Sequence, residues 1–304
     1  MKLEITDQLE NMQSVLNSSV AILNLPDMNC CEKNCKGCVV NDVKYDEKKR
    51  MSLEEIKEII SYFSMMYGTR IITINGRGDP FHPKVKEYTQ EKIRTAFGSG
   101  MMSYVFTAGD NLDEEMCEFL AKRDVNVMIS LFGNKFIDAD FFNGKDYGEK
   151  EIVDNLRMLI KSMKGRSKKG FTNVGMNYVV SEEDLKNKKK VRQLKKAANK
   201  NGIFFVCNLD FFPPKDEKLL LKLKKFAKNN SDHDLPHSTF VDNRCQMGAG
   251  SSVTVDYDGT FFRCPYLTGE GDGNYFKMDS EERKKMVEKY IADREYSCVF
   301  RKFE

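Results

Sequence analysis

Three thiols in a short run, Cys31, Cys35 and Cys38, are separated by three and then two residues in Cys31-Glu32-Lys33-Asn34-Cys35-Lys36-Gly37-Cys38. That spacing lets them wrap one face of an inorganic cluster. A four-iron, four-sulfur cluster closed by four cysteines suits plain electron transfer, whereas three cysteines leave one iron without a protein ligand and able to bind a small molecule. Zinc is the alternative, but it usually takes four nitrogen or sulfur ligands with CxxC pairs. Cys30 could be the fourth only as the immediate neighbour of Cys31. A second set, Cys245, Cys264 and Cys298, stands near the other end of the chain. Asp258-Gly259 is a strong turn signal between β-formers, so Val253 to Arg263 reads as a hairpin that brings Cys245 and Cys264 near each other. Structural zinc is the alternative there too. Cys117 falls in a helical pattern and reads as a core residue. His233 and His237 lie in a polar, irregular segment and read as surface residues.

CxxxCxxC in a loop after the first strand resembles the radical S-adenosylmethionine (SAM) enzymes. The resemblance implies a [4Fe-4S] cluster on Cys31, Cys35 and Cys38 whose open iron chelates the amino and carboxylate groups of SAM. An electron from the cluster then cleaves SAM to methionine and a 5′-deoxyadenosyl radical, which abstracts hydrogen from a substrate. The family often has an aromatic residue just before the third cysteine, where this chain has Gly37. Gly76-Arg77-Gly78-Asp79-Pro80 looks like the family's Gly-Gly-Glu-Pro segment, which receives the SAM amino group; Arg77 and Asp79 depart from it, the carboxylate being kept but shortened by one methylene. By the same analogy Thr107, Ser130 and Asn177 are polar contacts to the SAM carboxylate or ribose. Asp-Pro turn chemistry is the plain alternative for Asp79. The Cys245…Gly259…Cys264 pattern, followed by Gly273-Asn274, resembles the opening of the SPASM and twitch extensions, which implies an auxiliary iron–sulfur cluster on Cys245, Cys264 and Cys298. Arg301 stands where the last cysteine of a closing CxxC pair would fall, so the fourth position is open or filled from elsewhere, for example by Cys207.

The elements that must carry these residues follow from periodicity. Ser19 to Leu25 reads as the first strand, and Ser52-Leu53-Glu54-Glu55 has capping-box spacing ahead of apolar residues at helical period to Met66. Strands follow at 70–75, 103–106, 125–131, 173–180 and 203–209, with helices at 85–97, 113–122, 150–163 and 182–199 between them. Strands alternating with helices imply an α/β fold with a parallel sheet. Six such strands fall short of the eight of a full TIM barrel, and the resemblance implies a partial (β/α)6 TIM-like barrel. Its ligand rim is the carboxyl end of the strands, where Gly76 to Asp79 falls. Pro213-Pro214 marks a boundary, then a helix spans 216–229 and another 279–293. The expected organisation is a lead-in at 1–18, a barrel at 19–212, a linker helix and loop at 213–243, and a small hairpin-plus-helix cluster domain at 244–304.

At 304 residues the chain is long enough for one large α/β domain and a small appendage. Its apolar runs are strand-sized, well short of the ~20 residues of a membrane span, and its first residues lack a signal-peptide pattern. Nine cysteines without an export signal point to reduced thiols and a cytoplasmic setting. A net charge of +3, from 49 basic and 46 acidic residues, does not announce a nucleic-acid binder. The lysines of 186–200 read as a solvated helix face rather than a polyanion site. The expected partners are a small-molecule or peptide substrate and an external electron donor of flavodoxin or ferredoxin type. An RNA-modifying radical SAM enzyme and a non-catalytic zinc-binding module are the competing functions.

Overall fold

A computed structural model describes residues 20–31, 38, 40, 43–132, 150–163, 172–210, 214–232 and 252–296. The described residues divide into two compact units, one drawn from 20–105 and 252–296, the other from 106–232.

The first unit is organised on a parallel sheet of β1 (Ile22–Asn24), β2 (Ile71–Ile74) and β3 (Met102–Thr107), with Ile22 opposite Ile71 and Ile71 opposite Met102. Helix α1 (Leu53–Tyr67) joins β1 to β2. Its start is fixed by the expected capping box: Ser52 Oγ accepts from the Glu55 N–H at 3.2 Å, and the Ser52 N–H donates to the Glu55 carboxylate at 2.7 Å. It ends at Gly68, whose left-handed φ of 62° an L side chain would resist. The buried stripe Ile56, Ile59, Ile60 and Phe63 packs into one core with Leu23 of β1 and Ile72 of β2. Helix α2 (Lys86–Gly98) leads from β2 to β3.

Two further strands complete this sheet. β7 (Ser252–Val255) lies parallel to β1, Leu23 opposite Val253, and β8 (Phe261–Phe262) returns antiparallel to β7, Val255 opposite Phe261. The hairpin follows the turn expected at Asp258-Gly259: Gly259 has φ of 84° and its N–H donates to the Asp256 carbonyl. Its pairing with β1 was not legible from local pattern. Val253, Val255 and Phe261, with Tyr275 and with Val287 and Tyr290 of the last helix (Ser280–Ala292), belong to the same core as α1. Each such fully buried apolar side chain contributes ~1.5–3 kcal/mol, so this unit depends on both ends of the sequence.

In the second unit β4 (Asn126–Phe132), β5 (Val174–Val180) and β6 (Phe204–Leu209) are parallel, Ser130 opposite Asn177 and Tyr178 opposite Cys207. Helices α3 (Glu114–Lys122) and α4 (Lys150–Met163) precede and follow β4. The single helix expected over 182–199 is two, α5 (Glu182–Lys186) and α6 (Lys188–Lys200), since Asn187 leaves helical geometry at φ −119°, ψ 53° while its N–H caps the Glu183 carbonyl. Helix α7 (Glu217–Asn230) starts at Asp216, whose carboxylate accepts from the N–H groups of Lys218 and Leu219. Mostly parallel strands with helical connections make this an α/β fold of the partial (β/α)6 TIM-like class, with the hairpin and the last helix, α8, added. No helix among the described residues is long and apolar enough to cross a membrane.

Candidate functional site

The segment that leads out of β1 towards the first cysteines is held by buried charge. Lys92, on α2 and 1% exposed at its side chain, donates from Nζ to the carbonyls of Leu25 and Pro26 and to Asp27 Oδ2, each at 3.1 Å. Arg50 Nη2 approaches Asp27 Oδ1 at 2.7 Å, and its guanidinium lies over the Tyr88 ring. Asp27 Oδ1 also accepts from the Met28 N–H at 2.8 Å. Two cations around one carboxylate thus clamp the last turn of chain before Cys30 and Cys31. Burial pulls the Lys92 ammonium below its ordinary pKa, and Asp27 opposes that shift.

Asn29 and Val40 flank the cysteine run and are tied by a 2.9 Å bond from Asn29 Nδ2 to the Val40 carbonyl. Cys31 is exposed and Cys38 half-buried, and neither is in a disulfide. Cys30 is half-buried beside them, its thiol pushed up by burial and then by Asp27. Cys35 lies outside the described residues, as do Cys245 and Cys298. Cys117 and Cys207 are buried, and burial raises both thiols, Cys117 to about 11. Soft, accessible sulfur side chains at 31 and 38 are the donor type that iron–sulfur clusters take, so the residues present fit such a group.

Gly76 to Asp79 lies directly against this loop. A Cβ on Gly78 would stand 2.6 Å from the Cys30 backbone nitrogen, and the Asp79 N–H faces the Cys30 carbonyl at 3.5 Å. Gly76 and Gly78 have φ of 96° and 44°, which glycine adopts without cost. Asp79 is buried, and its Oδ1 accepts from the Phe81 N–H at 2.9 Å, the bond of an Asp-Pro turn. Arg77 points elsewhere. Its side chain is fully buried, donating from Nε and Nη2 to the two oxygens of Asp256 at 3.1 and 2.8 Å, and from Nη2 to the Leu267 carbonyl. Burial pushes the Asp256 carboxyl up; Arg77 and the Tyr257 N–H pull it back. Tyr45 is raised by burial to about 12, with Arg77 pulling the other way.

The C-terminal cysteine segment closes on the same loop. A Cβ on Gly76 would be 2.5 Å from the Pro265 carbonyl oxygen, next to the buried Cys264. Within the first unit the Gly76–Asp79 loop is therefore contacted on one side by Asn29 and Cys30 and on another by Pro265, the neighbours of the two cysteine segments.

The other three candidates lie at or beyond the start of the second unit. Thr107 ends β3, and its Oγ1 accepts from the Gly109 N–H at 3.0 Å. Ser130 and Asn177 are half-buried register partners, and Asn177 Oδ1 accepts from Asn208 Nδ2. β4 runs on to Phe132, two residues beyond Ser130. Asp27, Arg50, Lys92 and Asp256 were missed in the sequence. The signal available for Asp256 was an arginine in a glycine's place at a buried strand end, which calls for a carboxylate without saying which.

The family model described as the Radical SAM superfamily matches residues 25–187. No curated protein is similar to the chain at a significant level. Among solved structures, native anSMEcpe with bound AdoMet is 14% identical, with a TM-score of 0.58 over 86% of this chain and 79% of that one. Streptococcus suis SuiB is 12% identical, with a TM-score of 0.62 over 96% and 70%. The same SuiB bound to its precursor peptide SuiA gives 10% and 0.58 over 97% and 75%. At these identities the likeness is one of fold.

Proposed function

We propose, for a chain that belongs to the radical SAM superfamily, that it is a maturase-type oxidoreductase acting on a peptide or small natural product with the help of an auxiliary cluster. Membership implies a [4Fe-4S] cluster and SAM and supports an enzyme. The substrate class agrees with the neighbours, one of which is described bound to a precursor peptide. The observation that carries the reading is the contact of the Gly76–Asp79 loop with Asn29 and Cys30 on one side and with Pro265 on another.

In this reading Cys31, Cys35 and Cys38 hold the first cluster. When bound, it supplies the electron that cleaves SAM and so the radical that takes hydrogen from the substrate. Gly76 and Gly78 let the loop close on Pro265 and Cys30 and so set its backbone for the methionine end of SAM, whose ammonium the Asp79 carboxylate receives. Thr107, Ser130 and Asn177 supply polar contacts to its carboxylate and ribose. Cys245, Cys264 and Cys298 hold the auxiliary cluster, and a flavodoxin- or ferredoxin-type donor delivers electrons. The accessible thiols call for a reducing compartment, the cytoplasm.

Anaerobic reconstitution followed by iron analysis tests the assignment. The intact protein should carry about eight irons, and a Cys245, Cys264 and Cys298 triple Ala variant about four. Cys31→Ala, Cys35→Ala and Cys38→Ala should each abolish 5′-deoxyadenosine formation. Undiminished formation by any of them sinks the first-cluster assignment, and four irons in the intact protein with zinc at the C-terminal cysteines sinks the second.

A further inference from the structure

The side chain of Arg77 is spent, and where it is spent has a functional meaning. The Nε and Nη2 edge of its guanidinium is spent on Asp256, Nη2 also reaches the Leu267 carbonyl, Nη1 is buried without a hydrogen-bond partner, and none of the side chain reaches solvent. Arg77 sits between the two glycines whose backbones carry the SAM loop. Asp256 opens the hairpin turn after β7, and Leu267 follows Cys264 by three residues, with the Leu267 N–H donating to the Cys264 carbonyl at 3.1 Å. Gly76 meets Pro265 on the same side. The segment that carries Cys264 is thus bracketed by two contacts from one tetrapeptide: backbone on backbone at Pro265, and a bidentate ion pair ahead of it at Asp256.

We propose that Arg77 and Asp256 are a positioning pair that couples SAM occupancy of the Gly76–Asp79 loop to the conformation of the Cys264–Leu267 segment, and through it to the auxiliary site. The inference rests on the reading of Gly76–Asp79 as the SAM loop. A planar, fork-shaped pair fixes two backbones in distance and angle, which a flexible ammonium would not do. The contact is buried, so solvent screens it little, and a shift of the loop by a few tenths of an ångström on binding SAM is passed to Pro265 and Leu267 rather than absorbed. Coupling of this kind is reciprocal: ordering of the Cys264 segment must tighten SAM by the factor with which SAM orders the segment.

Hydrogen exchange on the reconstituted protein, with and without SAM, reads this directly. SAM should slow exchange at 76–82 and at 256–268 together. In the Arg77→Met/Asp256→Asn double variant, which leaves no buried charge unpaired and keeps an acceptor for the Tyr257 N–H, SAM should still protect 76–82, about ten-fold more weakly in affinity, and no longer protect 256–268. Arg77→Lys should fall between the two. Protection at 76–82 alone in the unaltered protein overturns the coupling and leaves the SAM loop standing. Equal protection at 256–268 in the double variant also overturns it. Protection at neither segment, with SAM bound, overturns the SAM-loop reading and the coupling with it.

Discussion

Replacing Lys92 with Met tests how far the loop before Cys31 depends on its buried charges. Methionine keeps the length and apolar stem of lysine and removes the ammonium, so packing on α2 is little altered. Three acceptors lose their donor: the carbonyls of Leu25 and Pro26 and Asp27 Oδ2, all at 3.1 Å. A buried carbonyl left without a donor costs ~1–3 kcal/mol, so the two carbonyls together cost about 4 kcal/mol. Asp27 is not stranded, because Arg50 remains at 2.7 Å. The desolvation that depresses the Lys92 pKa is relieved at the same time, which returns part of the loss. The net expectation is about 3 kcal/mol, at the lower end of the ~3–5 kcal/mol of breaking a buried pair outright. At a urea m-value of about 3 kcal/mol/M, the midpoint of the cluster-free protein should fall by about 1 M.

Asp27→Ala should be worse than Lys92→Met, since it leaves two buried cations side by side without the carboxylate they share. A pH arm adds a sign. With the folded pKa of Lys92 below its unfolded 10.5, the unfolded chain binds more protons between the two values, so stability rises as pH climbs through that window. The Met variant should lack that rise. A Lys92→Met midpoint within 0.2 M of the parent, a shift of roughly 0.6 kcal/mol at the m-value used above, or an Asp27→Ala milder than Lys92→Met, would refute the charge-clamp reasoning.

Gly76→Ala should weaken SAM binding at least ten-fold, as its Cβ would meet the Pro265 oxygen at 2.5 Å from a φ of 96°, while Gly98→Ala, with open space around it and a helical position, should stabilise by ~0.5–1 kcal/mol; isothermal titration and urea unfolding check the two. Asp79→Asn keeps an acceptor for the Phe81 N–H but loses the charge, so SAM affinity should drop by ~1–3 kcal/mol. An unchanged affinity confines Asp79 to its turn. In the cluster-free protein at pH 8, iodoacetamide should label Cys31 and Cys38 within minutes and leave Cys117 untouched, since a thiol raised to about 11 is ionised only to roughly one part in a thousand. Mass mapping that finds Cys117 modified first would overturn the burial assigned to it.

Much of the fold was legible because helices and their caps are local. Ser52 and Glu55 stand three apart in sequence and meet in space for that reason. Metal-type cysteine spacing is legible on the same ground. What escaped is what joins distant segments. Nothing in Ser252–Val255 says that its partner is β1, and Lys92 reads as one more polar residue on a polar helix until Leu25, Pro26 and Asp27 are brought beneath it. Arg77 declares in sequence that it departs from a glycine, but its carboxylate lies 179 residues away. The break at Asn187 was missed for a different reason: lysines on either side have high helix propensity, and one asparagine in a polar run carries little signal against them.

The pairing of β7 with β1 also has a consequence for how the molecule is made. The Asn24 side chain donates to the Val253 carbonyl across 229 residues of chain, and closing loops of that length is slow compared with forming helices or neighbouring strands. During synthesis β1 and α1 emerge early with their apolar face incomplete, since Val253, Val255 and Phe261 have yet to appear. β4, β5 and β6 pair among themselves and can meanwhile fold on their own contacts. The first cysteine loop can be clamped by Arg50 and Lys92 once α2 has emerged, whereas Gly76 meets Pro265 only after the hairpin docks, so a nascent chain stalled before residue 252 should hold its thiols at 31 and 38 on a half-built platform.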